Sequence, residues 1–236
     1  MALFLYGEKA ENQTVLLSGC CVRLAFPLDG MVYWEPCKKE RLLEVQNVNF
    51  YDKKENVEQY RSMMQFYDNS TIIRMVKEVL PVNSTILELG MGTGKDLLEF
   101  AKDYKVVGSD ASEIFISDFR NAYPDFDIYK INAADFCIDR KFDCIYSNKV
   151  LCHLSAAELK QSLKLQAQHL NDKGIVFMTM WYGTYKEKVY EEGLRFTYYT
   201  EADIIKTIPA NLSVEKMLRY TEEEPDDSLL LVLRIV

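Results

Sequence analysis

Between Thr85 and Met180, short apolar runs alternate with longer stretches whose apolar positions recur every three or four residues. Runs of the first kind read as strands buried on both faces, and the second kind as amphipathic helices packed against them. The strand candidates are 85–89 (TILEL), 105–109 (KVVGS), 127–131 (DIYKI), 142–146 (FDCIY) and 174–180 (GIVFMTM). Helical stretches fall between them near 95–103, 112–122, 149–153 and 156–171. The last opens on the capping box Ser155-Ala-Ala-Glu158 and stops near Gly174. A similar pattern, Thr200-Glu-Ala-Asp203, opens a helix at about 201–207.

The flanks behave differently. Val57, Tyr60, Met64 and Tyr67 follow helical spacing, which predicts a helix from about 53 to 67; a second, about 70–80, stops at Pro81. Residues 13–35 hold two β-rich runs, TVLLSGCCVRLAF and MVYWE, around Pro27-Leu28-Asp29-Gly30, a candidate hairpin. At the other end, 213–220 and 228–236 are strand-like and joined only by TEEEPDD. So short a connection makes them antiparallel, because a parallel crossover needs a dozen or more residues. The expected fold is α/β, with a mostly parallel sheet and one antiparallel strand near its edge. Residues 1–45 form an N-terminal extension and 46–236 the main domain, with the helix pair of about 46–81 preceding the sheet.

Composition narrows the function. Among 236 residues the net charge is −8 and no block of Lys/Arg occurs, so the electrostatic footprint of a nucleic-acid binder is missing. No apolar run approaches 18 residues, and the N-terminus lacks the basic and apolar regions of a signal peptide, so the expectation is a cytoplasmic protein without a membrane partner. The six cysteines, at 20, 21, 37, 137, 144 and 152, include no CxxC pair; reduced thiols and no metal site are expected. What is left is a small-molecule or protein partner.

The chemistry concentrates where the first parallel strand ends. Glu88-Leu-Gly90-Met-Gly92-Thr-Gly94 places glycine at every second position between a strand and a helix. In an open α/β sheet, ligands bind at the carboxyl ends of the strands near such a loop. The dinucleotide fingerprint GxGxxG fails, since Lys95 stands where its third glycine would fall. The Walker pattern fails too, because Asp96 follows Lys95. An acid two residues ahead of the glycines suits a ligand with an amino acid end better than a pyrophosphate.

This ExGxGxG motif resembles motif I of class I S-adenosylmethionine-dependent methyltransferases of the small-molecule type. The resemblance continues with Asp110 at the end of VVGSDAS, with Ile131-Asn132-Ala133, with FDCIYSNKVLCHL over 142–154, and with the terminal hairpin; it covers roughly 50–236. It implies a Rossmann-like seven-stranded sheet with helices on both faces and S-adenosyl-L-methionine as cofactor. It also implies a helical lid at about 46–81. Gly90, Met91, Gly92, Thr93 and Gly94 would meet the amino acid portion of the cofactor, with Glu88 offsetting its ammonium. Asp110 would accept the ribose hydroxyls, Ala111 and Ser112 would flank the adenine, and Asn132 and Ala133 would address its edge. Asn132 departs from the acid usual there. Ser147 would lie near the methionine moiety.

Simpler roles stand beside these. Glu88 could brace its loop, Asp110 with Ser112 could open a helix, and His169 reads as a solvated residue favoured by a helix C-terminus. His153 has two roles open: packing beside the cofactor, or catalytic proton removal from the acceptor. Aromatic and soft side chains crowd the expected acceptor walls: Phe50, Tyr51, Tyr60, Met63, Phe66 and Tyr67, then Trp181, Tyr182 and Tyr185. The resulting expectation is an enzyme moving a methyl group by in-line displacement to a small, partly apolar or aromatic acceptor. The rivals are an adenosyl-ligand-binding regulatory module and an aminopropyltransferase; Lys149 stands where the latter needs acids.

Overall fold

The computed structural model describes residues 14–17, 20–25, 33–36, 50–190 and 193–236. The chain divides into two compact units, Met1–Gln46 and Asn47–Val236. In the first, β1 (Thr14–Leu17), β2 (Cys20–Ala25) and β3 (Tyr33–Pro36) pair antiparallel in the order β1-β2-β3. The first β-rich run is therefore two strands, and the unit is a three-stranded meander where a single hairpin was expected. The turn expected at 27–30 lies outside the described residues.

The second unit starts with a 3-10 turn (Phe50–Asp52), α1 (Lys54–Met64) and α2 (Ser70–Val79). Then come β4 (Thr85–Leu89), α3 (Lys95–Phe100), β5 (Lys105–Asp110), α4 (Glu113–Ala122), β6 (Ile128–Lys130) and β7 (Phe142–Asn148). A 3-10 turn (Leu151–His153), α5 (Ala156–Gln168) and β8 (Leu170–Trp181) follow. The chain closes with β9 (Lys186–Val189), β10 (Arg195–Tyr198), α6 (Glu201–Ile205), β11 (Leu212–Tyr220) and β12 (Ser228–Ile235).

Seven strands form the main sheet in the order β11-β12-β8-β7-β4-β5-β6. All neighbouring pairs from β8 to β6 are parallel; β12 runs antiparallel to both β8 and β11. This is the Rossmann-like sheet expected, with the chain reversing its direction of growth between β4 and β7. Strand alternation divides the core. Leu87, Leu89, Ile145 and Val176 pack on one face with Leu159 and Leu163 of α5. Ile86, Tyr146 and Phe177 pack on the other with Ile72, Ile73 and Val76 of α2. Glu88 therefore points to the same side as Ile86, beside Tyr146 in register on β7.

The main unit departs from expectation in three further places. Strand β8 begins at Leu170, not at 174, because Leu170 is buried opposite Phe142, and a register shift follows before Cys144 meets Ile175. The β9–β10 hairpin was not anticipated; its first strand, KEKV, is exposed throughout and carries no buried periodicity. His169 is half-buried: its Nδ1 donates to the Leu165 carbonyl at 2.7 Å, and its ring lies 5.2 Å from that of Phe136, so it is packed and not solvated. No helix among the described residues is long and apolar enough to cross a membrane.

Candidate functional site

The loop after β4 is a tight coil held by its neighbour. Gly90 and Met91 donate backbone N–H groups to the Ser109 carbonyl at 2.9 and 2.8 Å, and Gly94 donates to the Met91 carbonyl at 2.8 Å. Gly92 donates to Asp110 Oδ2 at 2.8 Å. Two glycines are demanded by both conformation and space. Gly90 (φ 74°) and Gly94 (φ 76°) are left-handed, and a Cβ there would sit 2.5 Å from Val150 Cγ2 and 2.1 Å from the Phe119 ring, respectively. Because these amides are spent inside the protein, the loop presents acids to a ligand instead of a row of N–H groups. That suits a cationic group and not a phosphate.

Three buried carboxylates converge on the loop: Glu88, Asp96 and Asp110. Asp96, in the first turn of α3, accepts from Asn69 Nδ2, Tyr146 Oη and Asn148 Nδ2, which ties the segment before α2 to the end of β7. Asp96 was not singled out from sequence, although an acid directly after GxGxGK was visible. Asp110 accepts Gly92 N–H on one oxygen and Ser112 N–H on the other, each at 2.8 Å, and the Ala111 amide also acts on it. Burial raises its carboxyl above the ordinary value. Glu88 is pushed up furthest, first by burial and then by the charges of Asp96 and Asp110. Its Oε2 is buried and has no hydrogen-bond partner. Ser147, one residue from the end of β7, likewise has a buried hydroxyl with no partner.

The remaining expected positions divide. Met91 is buried and packs with Leu97, Ile116 and Phe119, so its side chain is core and only its backbone lies in the loop; Thr93 is half-buried. Ser112 is fully buried as the cap of α4: its Oγ accepts Phe115 N–H and donates to the Tyr51 carbonyl at 2.6 Å. Ala111 and Ala133 are half-buried beside it and beyond β6. Asn132 is exposed, with its Oδ1 closing a turn onto Ala134 N–H at 2.9 Å.

Aromatic rings cover the loop from the N-terminal side. Tyr51 stacks edge-on to Tyr60 at 5.5 Å, both reach Phe115, and a Cβ on Gly92 would lie 3.0 Å from Tyr60 Oη. Of the other expected wall residues, Met63 and Phe66 are 64% and 86% exposed and point outward. His153 lies between Tyr51, at 6.4 Å, and Phe196 of β10, at 4.8 Å. Its Nδ1 bonds the Arg195 carbonyl at 2.7 Å, which makes Nδ1 the protonated nitrogen and leaves Nε2 as an acceptor. Burial lowers the imidazole below its ordinary value, so it is neutral at pH 7. The unanticipated hairpin thus sets the tautomer of the candidate base. The hairpin is clamped in turn by Arg195 on Glu158 at 2.7 Å and by Thr197 Oγ1 on the Leu154 carbonyl at 2.7 Å.

Residues 86–174 match the family model described as a methyltransferase domain. A 116-residue stretch is 28% identical to the dTDP-3-amino-3,4,6-trideoxy-alpha-D-glucopyranose N,N-dimethyltransferase of Streptomyces venezuelae, spanning 48% of this chain and about half (49%) of that protein. The fold is similar to that of the 1,6-didemethyltoxoflavin-N1-methyltransferase of Burkholderia thailandensis (TM-score 0.68, 13% identity, 96% of this chain and 100% of the other). It is also similar to the N-methyltransferase NodS of Bradyrhizobium japonicum (TM-score 0.62, 14% identity, 79% and 98%).

Proposed function

We propose that this chain is a class I S-adenosylmethionine-dependent methyltransferase, a reading supported by the methyltransferase-domain match over residues 86–174, and that it transfers a methyl group to a nitrogen atom of a small-molecule acceptor. The observation that carries the reading is the buried, unpartnered Glu88 Oε2 at the glycine loop. An uncompensated carboxylate is costly to bury, and the cofactor's α-ammonium is the partner it lacks. Ser147, near the end of β7 and on the opposite face of the strand from Tyr146, supplies a second unsatisfied buried group. The residues present therefore fit S-adenosylmethionine, which when bound supplies a methyl group already activated by its sulfonium.

The chain's own residues do the rest. Glu88 and Asp110 fix the two ends of the cofactor, and the Tyr51–Tyr60–Phe115 cluster excludes water from the loop. His153 Nε2 takes the proton that an ammonium acceptor must lose. The N-methyltransferases named above favour nitrogen over oxygen as the acceptor atom. Alignment of such a pair can lower a barrier by roughly 7–11 kcal/mol.

Thermal unfolding with adenosylmethionine, adenosylhomocysteine or NAD tests the reading. Ligand at a hundred times its dissociation constant adds about 2.7 kcal/mol, which for a chain of this length raises the midpoint by roughly 5–10 °C. Stabilisation by the adenosyl ligands and none by NAD is expected; the reverse overturns the reading. Transfer of labelled methyl from the cofactor to amino sugars and to hydroxyl analogues of the same sugars then separates nitrogen from oxygen acceptors.

A further inference from the structure

Lys149 follows β7 directly and is the most tightly held cation near the site. Its side chain is only 13% exposed, and Glu222, whose side chain is 15% exposed, pairs with it at 2.9 Å. The ammonium also donates to Ser228 Oγ at 2.6 Å and lies 3.2 Å from the centre of the Trp181 ring. Its backbone is left-handed (φ 56°), which a lysine adopts only when its surroundings impose it. Here the amide N–H donates to Thr179 Oγ1 at 2.9 Å, and the carbonyl accepts from Cys152 Sγ at 3.0 Å. The turn Leu151–His153 grows out of that corner.

Glu222 reaches further than this pair. It sits on the β11–β12 connection, where Asp227 accepts the N–H groups of Glu222, Glu223 and Glu224 at 2.9–3.0 Å and fixes the carboxylate's position. Tyr220 Oη donates to it at 3.0 Å, and the Tyr67 phenol, beyond the end of α1, lies close enough to Glu222 and Asn148 for both to act on its proton. The strap around Tyr67 is held elsewhere as well: Lys95 Nζ donates to the Tyr67 carbonyl, and Asn69 to Asp96.

We infer that Lys149 and Glu222 are positioning residues of the transfer site: their buried ion pair holds the turn bearing His153 on one side and, through Tyr67, the strap over the cofactor groove on the other. The inference rests on the methyl-transfer reading for what the groove binds, but the arrangement of the turn can be tested without it. Neither residue touches the reacting atoms. Together they make the place of the imidazole and the closure of the strap depend on one carboxylate.

The double variant Lys149→Met/Glu222→Leu removes both charges at once, a replacement that buried ion pairs commonly tolerate. Tyr67→Phe leaves the pair intact and removes only the hydroxyl beside Glu222 and Asn148. The chain holds two histidines, so the imidazole titration of His153 can be followed by nuclear magnetic resonance and assigned with His153→Gln. In the double variant its midpoint should move up toward the ordinary histidine value as the turn loosens, while in Tyr67→Phe it stays. The dissociation rate of adenosylhomocysteine should rise about tenfold in both. A double variant that only melts earlier, with the His153 titration and the dissociation rate unchanged, overturns the inference and leaves the pair a structural tie. If the unaltered protein does not bind adenosylhomocysteine, the proposed function fails, and the His153 titration alone decides whether the pair positions the turn.

Discussion

The Asp110 carboxylate and the Gly92 amide are bonded at 2.8 Å across the gap between β5 and the loop after β4. The acid proposed to bind the cofactor is thereby also a brace of the glycine loop. Both jobs use the same charge.

Replacing that acid should damage binding more than folding. Asp110→Asn retains an acceptor for one backbone N–H but loses the charge; hydrogen bonds to charged groups contribute about 1.5–3 kcal/mol. Adenosylhomocysteine affinity should fall by roughly ten- to a hundredfold in titration calorimetry. Unchanged affinity would remove Asp110 from the binding site.

Glu88 makes stability depend on pH in a defined direction. Its folded-state carboxyl is raised well above 4.5 by burial, then by Asp96 and Asp110. The folded chain thus holds this proton more tightly than the unfolded chain. Glu88 therefore favours folding below about pH 4.5, and that contribution is lost as pH rises through the raised value. Glu88→Gln should flatten this part of the ligand-free melting profile. A cationic ligand end should also expel the proton, so the binding enthalpy of adenosylhomocysteine should vary with the ionisation enthalpy of the buffer, and cease to vary in Glu88→Gln.

Gly94→Ala tests the coil itself. A left-handed alanine costs about 1–2 kcal/mol, and displacing the Phe119 ring adds roughly 1–3 kcal/mol. The melting midpoint should drop by about 5–15 °C. A drop under about 2 °C would mean the loop relaxes at no cost.

Ser155→Ala removes one half of the capping box that starts α5, directly after the His153 turn. The expected loss is about 1 kcal/mol, or roughly 2–4 °C in the melting midpoint. Because Glu158 also holds Arg195, the companion variant Glu158→Gln should cost more and should move the His153 titration, whereas Ser155→Ala should leave that titration in place.

Sequence pattern alone settled the parallel strands, their order of appearance and the loop that ends β4. Those features follow from local rules: apolar runs, caps, and glycines where only glycine fits. The TEEEPDD connection was likewise enough to make β11 and β12 antiparallel. What pattern could not reach was decided by contacts between distant segments. The β9–β10 hairpin has an exposed first strand and acquires its place through Arg195–Glu158 and Thr197–Leu154. Asp96 gains its partners from two separate stretches of chain, the segment before α2 and the end of β7. His169 reads as a surface residue at a helix end until Phe136 packs on it. Lys149 and Glu222 lie 73 positions apart in the chain, and no local rule connects them. Local pattern determines which elements form, because backbone geometry and burial on one face are short-range demands. Which charged and polar side chains meet is fixed only when the sheet is assembled, since a buried charge is tolerable only beside the partners that the assembled sheet brings to it.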